Sequence, residues 1–247
     1  MIEIFHCFGA KPEHRVSAEV AVRMLTASQC RYLAVNTHNI DEVRRGADLP
    51  VGYADATLGT VTARLGPSPG PVPVLNINHP RSAREATERT MRAVELTGIR
   101  VIKLEVLDDS LTVAENGEVV RAAAELIDKG FEVWPLISAD AETYRACVDL
   151  GATMVRVMGS PIGARRGIDA KARRPILEIL ADHRVPVMLD GGIGSVADLT
   201  GAGELGFDAA LVNSCLFAGD TDPVAMLADM RAAVNATARP EDAVPAR

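Results

Sequence analysis

A repeated change of hydrophobic period constrains this chain more than any other feature. Short runs rich in β-branched and aliphatic residues lie near 2–8, 31–36, 72–78, 99–106, 131–137, 153–158, 185–189 and 207–212. Between them come longer stretches, such as SAREATERTMRAVELTG and GEVVRAAAELIDKG, whose apolar residues recur every three or four positions. The first pattern predicts strands and the second predicts helices. A strand that is always followed by a helix must reach its next neighbour by a crossover, which makes the sheet parallel. Eight such units within 247 residues predict one closed (β/α)8 TIM-type barrel, an architecture that takes about 250 residues. An open dinucleotide-binding sheet is the competing arrangement, but no G-x-G-x-x-G follows the first strand. The barrel is expected to fill residues 1–235, with 236–247 (ATARPEDAVPAR) as a flexible tail. The Gly- and Pro-rich stretch at 51–71 is expected to be an insertion or an irregular connection, with a lid as one form of it.

Composition removes several classes of function. With 33 acidic against 26 basic side chains, the net charge of -7 lacks the positive surplus that binding nucleic acid requires. At 48% hydrophobic the chain can bury a core, yet no apolar run approaches the roughly 20 residues that span a bilayer. The N-terminal MIEIFHCFGA has no basic region ahead of a long apolar one, so no signal peptide is expected. Cys7, Cys30, Cys147 and Cys215 form no CxxC pair, which fits buried free thiols in a reducing cytoplasm better than zinc ligands or a disulfide framework. No histidine spacing suggests a metal and no G-x-S-x-G elbow suggests a serine hydrolase. Neither a metal nor an organic cofactor is expected.

The chemistry starts from a lysine in a core strand. In Ile99-Arg-Val-Ile-Lys-Leu-Glu-Val-Leu107, alternation puts Val101, Lys103 and Glu105 on one face and Ile102, Leu104 and Val106 on the other. The all-aliphatic face suits the outer helices, which leaves Lys103 and Glu105 in the lumen. Burying an unpaired ammonium is costly and favours the neutral amine. An amine beside a carboxylate can condense with a carbonyl to form an imine. A plain lumenal ion pair is the structural alternative, although such pairs add little net stability. Asp190, at the end of Val185-Pro-Val-Met-Leu-Asp190, offers a second carboxylate at the active face, or a cap for the next helix.

Three loops look suited to an anion. Gly191, Gly192 and Gly194 follow the seventh strand, and Asn213 and Ser214 follow the eighth. In such barrels these two positions form the usual phosphate site, though tight turns would use the same residues. After the sixth strand, Gly163 and Arg165 suggest mobility and an acidic visitor, or else a solvated surface. His38 and His79 follow strand ends and can reach substrate, whereas His14 and His183 look peripheral.

The motifs VIKLEVL, GFEVWPLIS, VMGSPIGARRGI, VPVMLDGGIGS and DAALVNSCLFAGDTDPVAM, in this order, resemble the bacterial thiazole synthase family. The likeness runs from about residue 99 to 235 and fades before 72. It implies a barrel enzyme whose lysine, here Lys103, forms an imine with a phosphorylated ketose, with Glu105 and Asp190 beside it. It also implies phosphate contacts at Gly191 to Gly194, Asn213 and Ser214, and sulfur delivered by the C-terminal thiocarboxylate of a small carrier protein. The family forms homo-oligomers, tetramers or dimers. This chain departs from it in carrying Asn36-Thr37-His38 and Asn76-Ile77-Asn78-His79 at strand ends, and Gly163-Ala-Arg-Arg166 in the sixth loop. Amides and imidazoles there suit a substrate with more hydroxyls, such as a hexose 6-phosphate, and so resemble the thiosugar synthase branch. Thiazole synthase proper, an imine-forming aldolase or isomerase without sulfur, and a catalytically silent barrel that docks a carrier are the competing readings.

Overall fold

A computed structural model describes residues 1–9, 11–67 and 70–237. Among these, eight strands alternate with eight α-helices: β1 Glu3–His6, α1 Ala18–Ser28, β2 Tyr32–Asn36, α2 Leu58–Leu65, β3 Val72–Asn76, α3 Ala83–Thr97, β4 Val101–Leu104, α4 Asn116–Asp128, β5 Glu132–Ser138, α5 Ala141–Leu150, β6 Val155–Met158, α6 Ala170–Asp182, β7 Val187–Asp190, α7 Val196–Leu205, β8 Ala209–Val212 and α8 Pro223–Thr237. All ladders are parallel and run from β2 through β8 back to β1, the order of a nearly closed (β/α)8 barrel. Each expected strand region coincides with one observed strand, β5 and β7 each running one residue past the expected end.

Local chemistry sets the element ends. The hydroxyls of Ser17, Thr57, Ser82 and Ser195 and the carboxylate of Asp140 accept backbone N–H groups at the starts of α1, α2, α3, α7 and α5. Gly98, Gly151 and Gly206 end α3, α5 and α7 in the left-handed conformation. Inside the ring, Phe5, Tyr32 and Trp134 meet with ring centroids 4.9–6.2 Å apart. They come from β1, β2 and β5, and β1 and β5 are not neighbours, so these rings cross the lumen. The lumen is therefore filled, and the polar side chains nearer the strand C-termini stand over a floor rather than a pore.

The described residues of the stretch at 51–71 form a regular connection rather than an insertion. It carries α2, started by a capping box between Thr57 and Thr60, and so completes the second βα unit. Its leading leg fills the one gap in the barrel. No ladder joins β1 to β2 among the described residues. Instead Asn36 donates its backbone N–H to the Pro50 carbonyl at 2.7 Å, and Phe8 forms an isolated parallel bridge with Gly52. The glycines that suggested irregularity mark a close approach at Gly52 and the end of α2 at Gly66. The expected tail overlaps the last turn of α8 at 236–237, and 238–247 lie outside the described residues. Among the described residues, no helix is long and apolar enough to cross a membrane.

Candidate active site

Lys103 sits in β4 in register with Asn76 of β3 and Trp134 of β5. Its side chain is 5% exposed. Its Nζ donates to Asn76 Oδ1 at 2.9 Å and lies 3.7 Å from Glu105 Oε2 and 4.0 Å from Asp190 Oδ2. Glu105 stands just past the end of β4, and its Oε1 accepts the His79 backbone N–H at 3.2 Å. Asp190 ends β7, and its Oδ2 accepts two hydrogen bonds from Arg156, from Nε at 2.8 Å and from an Nη at 2.6 Å.

Arg156 is a further member of this site, one that the sequence motifs do not single out. It is wholly buried, with its other Nη donating to the carbonyls of Leu104 and Trp134, and it also lies 3.8 Å from Glu105. Two cations thus face two carboxylates in the lumen, which is how buried charge becomes tolerable. The signal was present in the sequence: in Val155-Arg-Val-Met158, alternation places Arg156 on the face opposite Val155 and Val157, as it does Lys103 in β4.

A cavity of about 610 Å³ opens over these groups at the C-terminal ends of the strands. Lys103, Glu105 and Asp190 line it, and so do Gly191, Gly192, Asn213, Ser214, Gly163, Arg165 and His79. Gly191 and Gly192 have φ of 94° and 110°, and a Cβ at Gly192 would stand 2.3 Å from the Gly167 carbonyl, so the loop can take this path only with glycine. Among the described residues, no acceptor takes the backbone N–H of Gly192 or Ile193. Asn213 is also structural, because its Oδ1 accepts the Gly9 backbone N–H at 3.2 Å.

Two expected contacts are not brought to the cavity. Gly194 gives its N–H to Asp198 Oδ2 at 3.0 Å, and a Cβ there would stand 2.3 Å from the Arg165 carbonyl, so this glycine serves the packing of two loops. His38 lies outside the cavity wall, largely exposed and stacked on Tyr53; partial desolvation of the ring, then the charges of His79 and Arg89, lower its pKa. Tyr53 lines the cavity in its place. His14, which looked peripheral in sequence, also lines it and stacks on Phe217 at 4.7 Å, joining the first and eighth loops. Cys7 completes the wall, its thiol pushed up by burial, with Lys103 the largest opposing influence. Among the described residues, no group of three or more His, Cys, Asp or Glu side chains is placed to hold a metal ion.

A family model described as thiazole biosynthesis protein ThiG matches residues 72–246. This chain belongs to the ThiG family. The matched span carries Lys103, Glu105, Arg156, Asp190 and the glycine loop, while β1, β2 and the leg that fills the gap between them lie outside it. Similar curated relatives are thiazole synthases of Porphyromonas gingivalis. The one from strain ATCC 33277 is 33% identical over 221 residues, covering 89% of this chain and 80% of the relative. The one from strain W83 is 38% identical over 162 residues, covering 65% and 61%. Among solved structures, the complex of BexX with CysO from Amycolatopsis orientalis superposes with a TM-score of 0.76 at 28% identity, covering 96% of this chain and 89% of the other. Phosphoribosyl anthranilate isomerase from Thermus thermophilus, at 16% identity and a TM-score of 0.58, shares the fold.

Proposed function

We propose that this ThiG-family chain inserts sulfur into a phosphorylated sugar held as an imine on Lys103, and that the sugar is a hexose 6-phosphate such as glucose 6-phosphate. One observation carries the reading. Lys103, the strand lysine among the described residues that line the cavity, presents its amine within 4.0 Å of two carboxylates, beneath a cavity large enough for a sugar phosphate and walled on the other side by glycine-rich backbone.

Each part then has a task. Backbone N–H groups around Gly192, with Ser214, Asn213 and the positive charge of Arg165, hold the phosphate. After ring opening and tautomerisation, the sugar offers a carbonyl at C2. The Lys103 lone pair attacks that carbon, the carbonyl π pair moves to oxygen, and water leaves as the iminium forms. Glu105 supplies and removes protons at short range. Asp190, held on one oxygen by Arg156, keeps its other oxygen for substrate. Asn78 and His79 provide hydrogen-bond partners for sugar hydroxyls. A small sulfur-carrier protein brings sulfur as its C-terminal thiocarboxylate. The sulfur adds to the iminium carbon, and water hydrolyses the resulting thioester, returning the carrier as its carboxylate. The C2–N bond then breaks to free the Lys103 amine and leave a C2 thioketone, and tautomerisation to the C1 aldehyde gives a 2-thiosugar. The similarity to a BexX/CysO complex supports a protein partner at the barrel. Four buried unpaired thiols fit a reducing compartment, the cytoplasm.

The first test weighs the protein after incubation with a sugar phosphate and borohydride. A reduced adduct on the Lys103 peptide with glucose 6-phosphate, lost in Lys103→Ala, is the expected result. An adduct with 1-deoxy-D-xylulose 5-phosphate alone replaces the thiosugar reading with thiazole synthase proper. Full turnover without any thiocarboxylate donor removes sulfur from the reaction altogether.

A further inference from the structure

Lys103 has two acidic neighbours, yet among the described residues the acceptor at hydrogen-bond distance from its Nζ is neutral: Asn76 Oδ1, at 2.9 Å. The orientation of that amide is imposed from the backbone. Asn36 gives its Nδ2 to the Val51 carbonyl at 3.0 Å, and a carbonyl can only accept. Asn36 Oδ1 must therefore face the other way, where it accepts Nδ2 of Asn76 at 2.9 Å and Nδ2 of Asn78 at 3.3 Å. Asn78 is fixed independently, because its Oδ1 accepts the Thr37 backbone N–H at 2.9 Å. With its Nδ2 committed to Asn36, Asn76 has only its oxygen left for Lys103. All three amides are buried, with Asn76 and Asn78 at the foot of the cavity, so little water reaches their bonds to one another.

We infer that Asn76 is a catalytic residue that holds the hydrogen kept on the lysine nitrogen through imine formation, and that Asn36 and the Val51 carbonyl form a positioning relay that aims it. This rests on the imine reading. A neutral amine has two hydrogens. One leaves in the water as the carbinolamine dehydrates with a proton from the acid, and one stays on the iminium nitrogen. Asn76 Oδ1 is placed to accept that remaining N–H. Fixing it fixes the plane of the C=N bond, and with it which substituent of the imine carbon faces Glu105 and which faces Asp190. A carboxylate in the same place would pin the ammonium form by charge, whereas an amide oxygen orients the nitrogen without adding charge.

The test uses pyridoxal 5′-phosphate, a phosphorylated aldehyde, as a generic imine-forming probe. Labelling of Lys103 is trapped with borohydride, mapped by peptide mass and followed against probe concentration and pH. Asn76→Ala is expected to lower the saturating rate about ten- to a hundredfold, the kinetic equivalent of one hydrogen bond to a charged group, with little change in the half-saturating concentration. Asn36→Ala is expected to move the same parameter less. Asn76→Asp is expected to recover little, because its second oxygen meets Asn36 Oδ1, which the Val51 carbonyl keeps from turning. Combining it with Asn36→Ala relieves that clash and is expected to recover rate only towards high pH, because the carboxylate holds the ammonium form and moves the pH profile upward. Unchanged saturating rates and pH profiles in folded Asn76→Ala and Asn36→Ala overturn the inference, and so does a double variant slower than either parent at the high-pH end of the profile. If these shifts occur while glucose 6-phosphate gives no adduct in the unaltered protein, the substrate reading fails and the amide relay stands.

Discussion

Arg156 and Lys103 carry the same charge into the same lumen and are held differently. Arg156 makes two hydrogen bonds to Asp190 and two to backbone carbonyls, whereas Lys103 hydrogen-bonds neither carboxylate. Removing one partner of a tightly bonded buried pair leaves an uncompensated charge and costs about 3–5 kcal/mol. Arg156→Met is accordingly expected to lose about that much in urea titrations, and Lys103→Met clearly less, while only Lys103→Met removes the trapped amine outright. Equal losses from the two would contradict this division of labour. Lys103 was legible because its strand has an unbroken aliphatic face opposite it. Arg156 obeys the same alternation, but arginines are numerous in this chain and a single one drew no notice. A different buried group governs pH. Burial drives His6 down from 6.5 to about 4, against a weaker raising contact from the Cys7 backbone. Below about pH 6.5 the unfolded chain takes up the proton and the folded chain refuses it, so stability falls with falling pH until the folded value near 4 is passed. The loss amounts to about 3 kcal/mol. Urea midpoints between those pH values should follow this slope, and His6→Gln, which cannot titrate, should flatten it.

At the scale of elements, the unit formed by β7, its glycine loop and α7 separates two uses of glycine. Gly192 and Gly194 face backbone carbonyls that a Cβ would approach to 2.3 Å, while at Gly201, within α7, a Cβ would meet nothing within 4 Å. Gly201→Ala is therefore expected to stabilise the protein by about 0.5–1 kcal/mol, the helical preference for alanine, without touching substrate binding. Gly192→Ala should destabilise and should also weaken phosphate binding, measurable as a raised KM for the sugar phosphate. The eight strands could be placed from their period alone, because a parallel strand covered on both faces leaves a near-continuous apolar run in the sequence. The role of Gly194 could not, since it depends on where the sixth loop passes, a contact with Arg165, 29 residues earlier in the sequence. The stretch at 51–71 misled for a related reason. Its glycine and prolines signal a turn, yet Gly52 marks a close approach to Val16, and the prolines at 67 and 71 lie beyond α2.

For the whole molecule, the consequential feature is that the barrel closes through a loop. Among the described residues seven ladders join the eight strands, and the eighth junction, between β1 and β2, is bridged by Pro50–Gly52. That bridge lies before residue 72, in the part of the chain the ThiG match does not reach, and its Val51 carbonyl is the group that orients Asn36. Closure of the ring and aim of the reactive amine therefore share one short segment. Gly52 is its narrowest point, since a Cβ there would stand 3.1 Å from both Cβ and the carbonyl oxygen of Val16 and 3.4 Å from the Phe8 carbonyl. Two of those three neighbours are backbone and cannot rotate away, so Gly52→Val must lift the leg out of the gap or displace the end of β1. Such overpacking costs about 1–3 kcal/mol, read from urea midpoints. Because lifting the leg draws the Val51 carbonyl off Asn36, the same variant should lower the saturating rate of Lys103 labelling in the manner of Asn36→Ala. Gly117→Ala, in α4 with open space around its Cβ, serves as the comparison and should leave labelling unchanged. A Gly52→Val protein that loses stability yet labels Lys103 at the normal rate would show that closure and catalysis are independent, and that the amide relay is set by β2 and β3 alone.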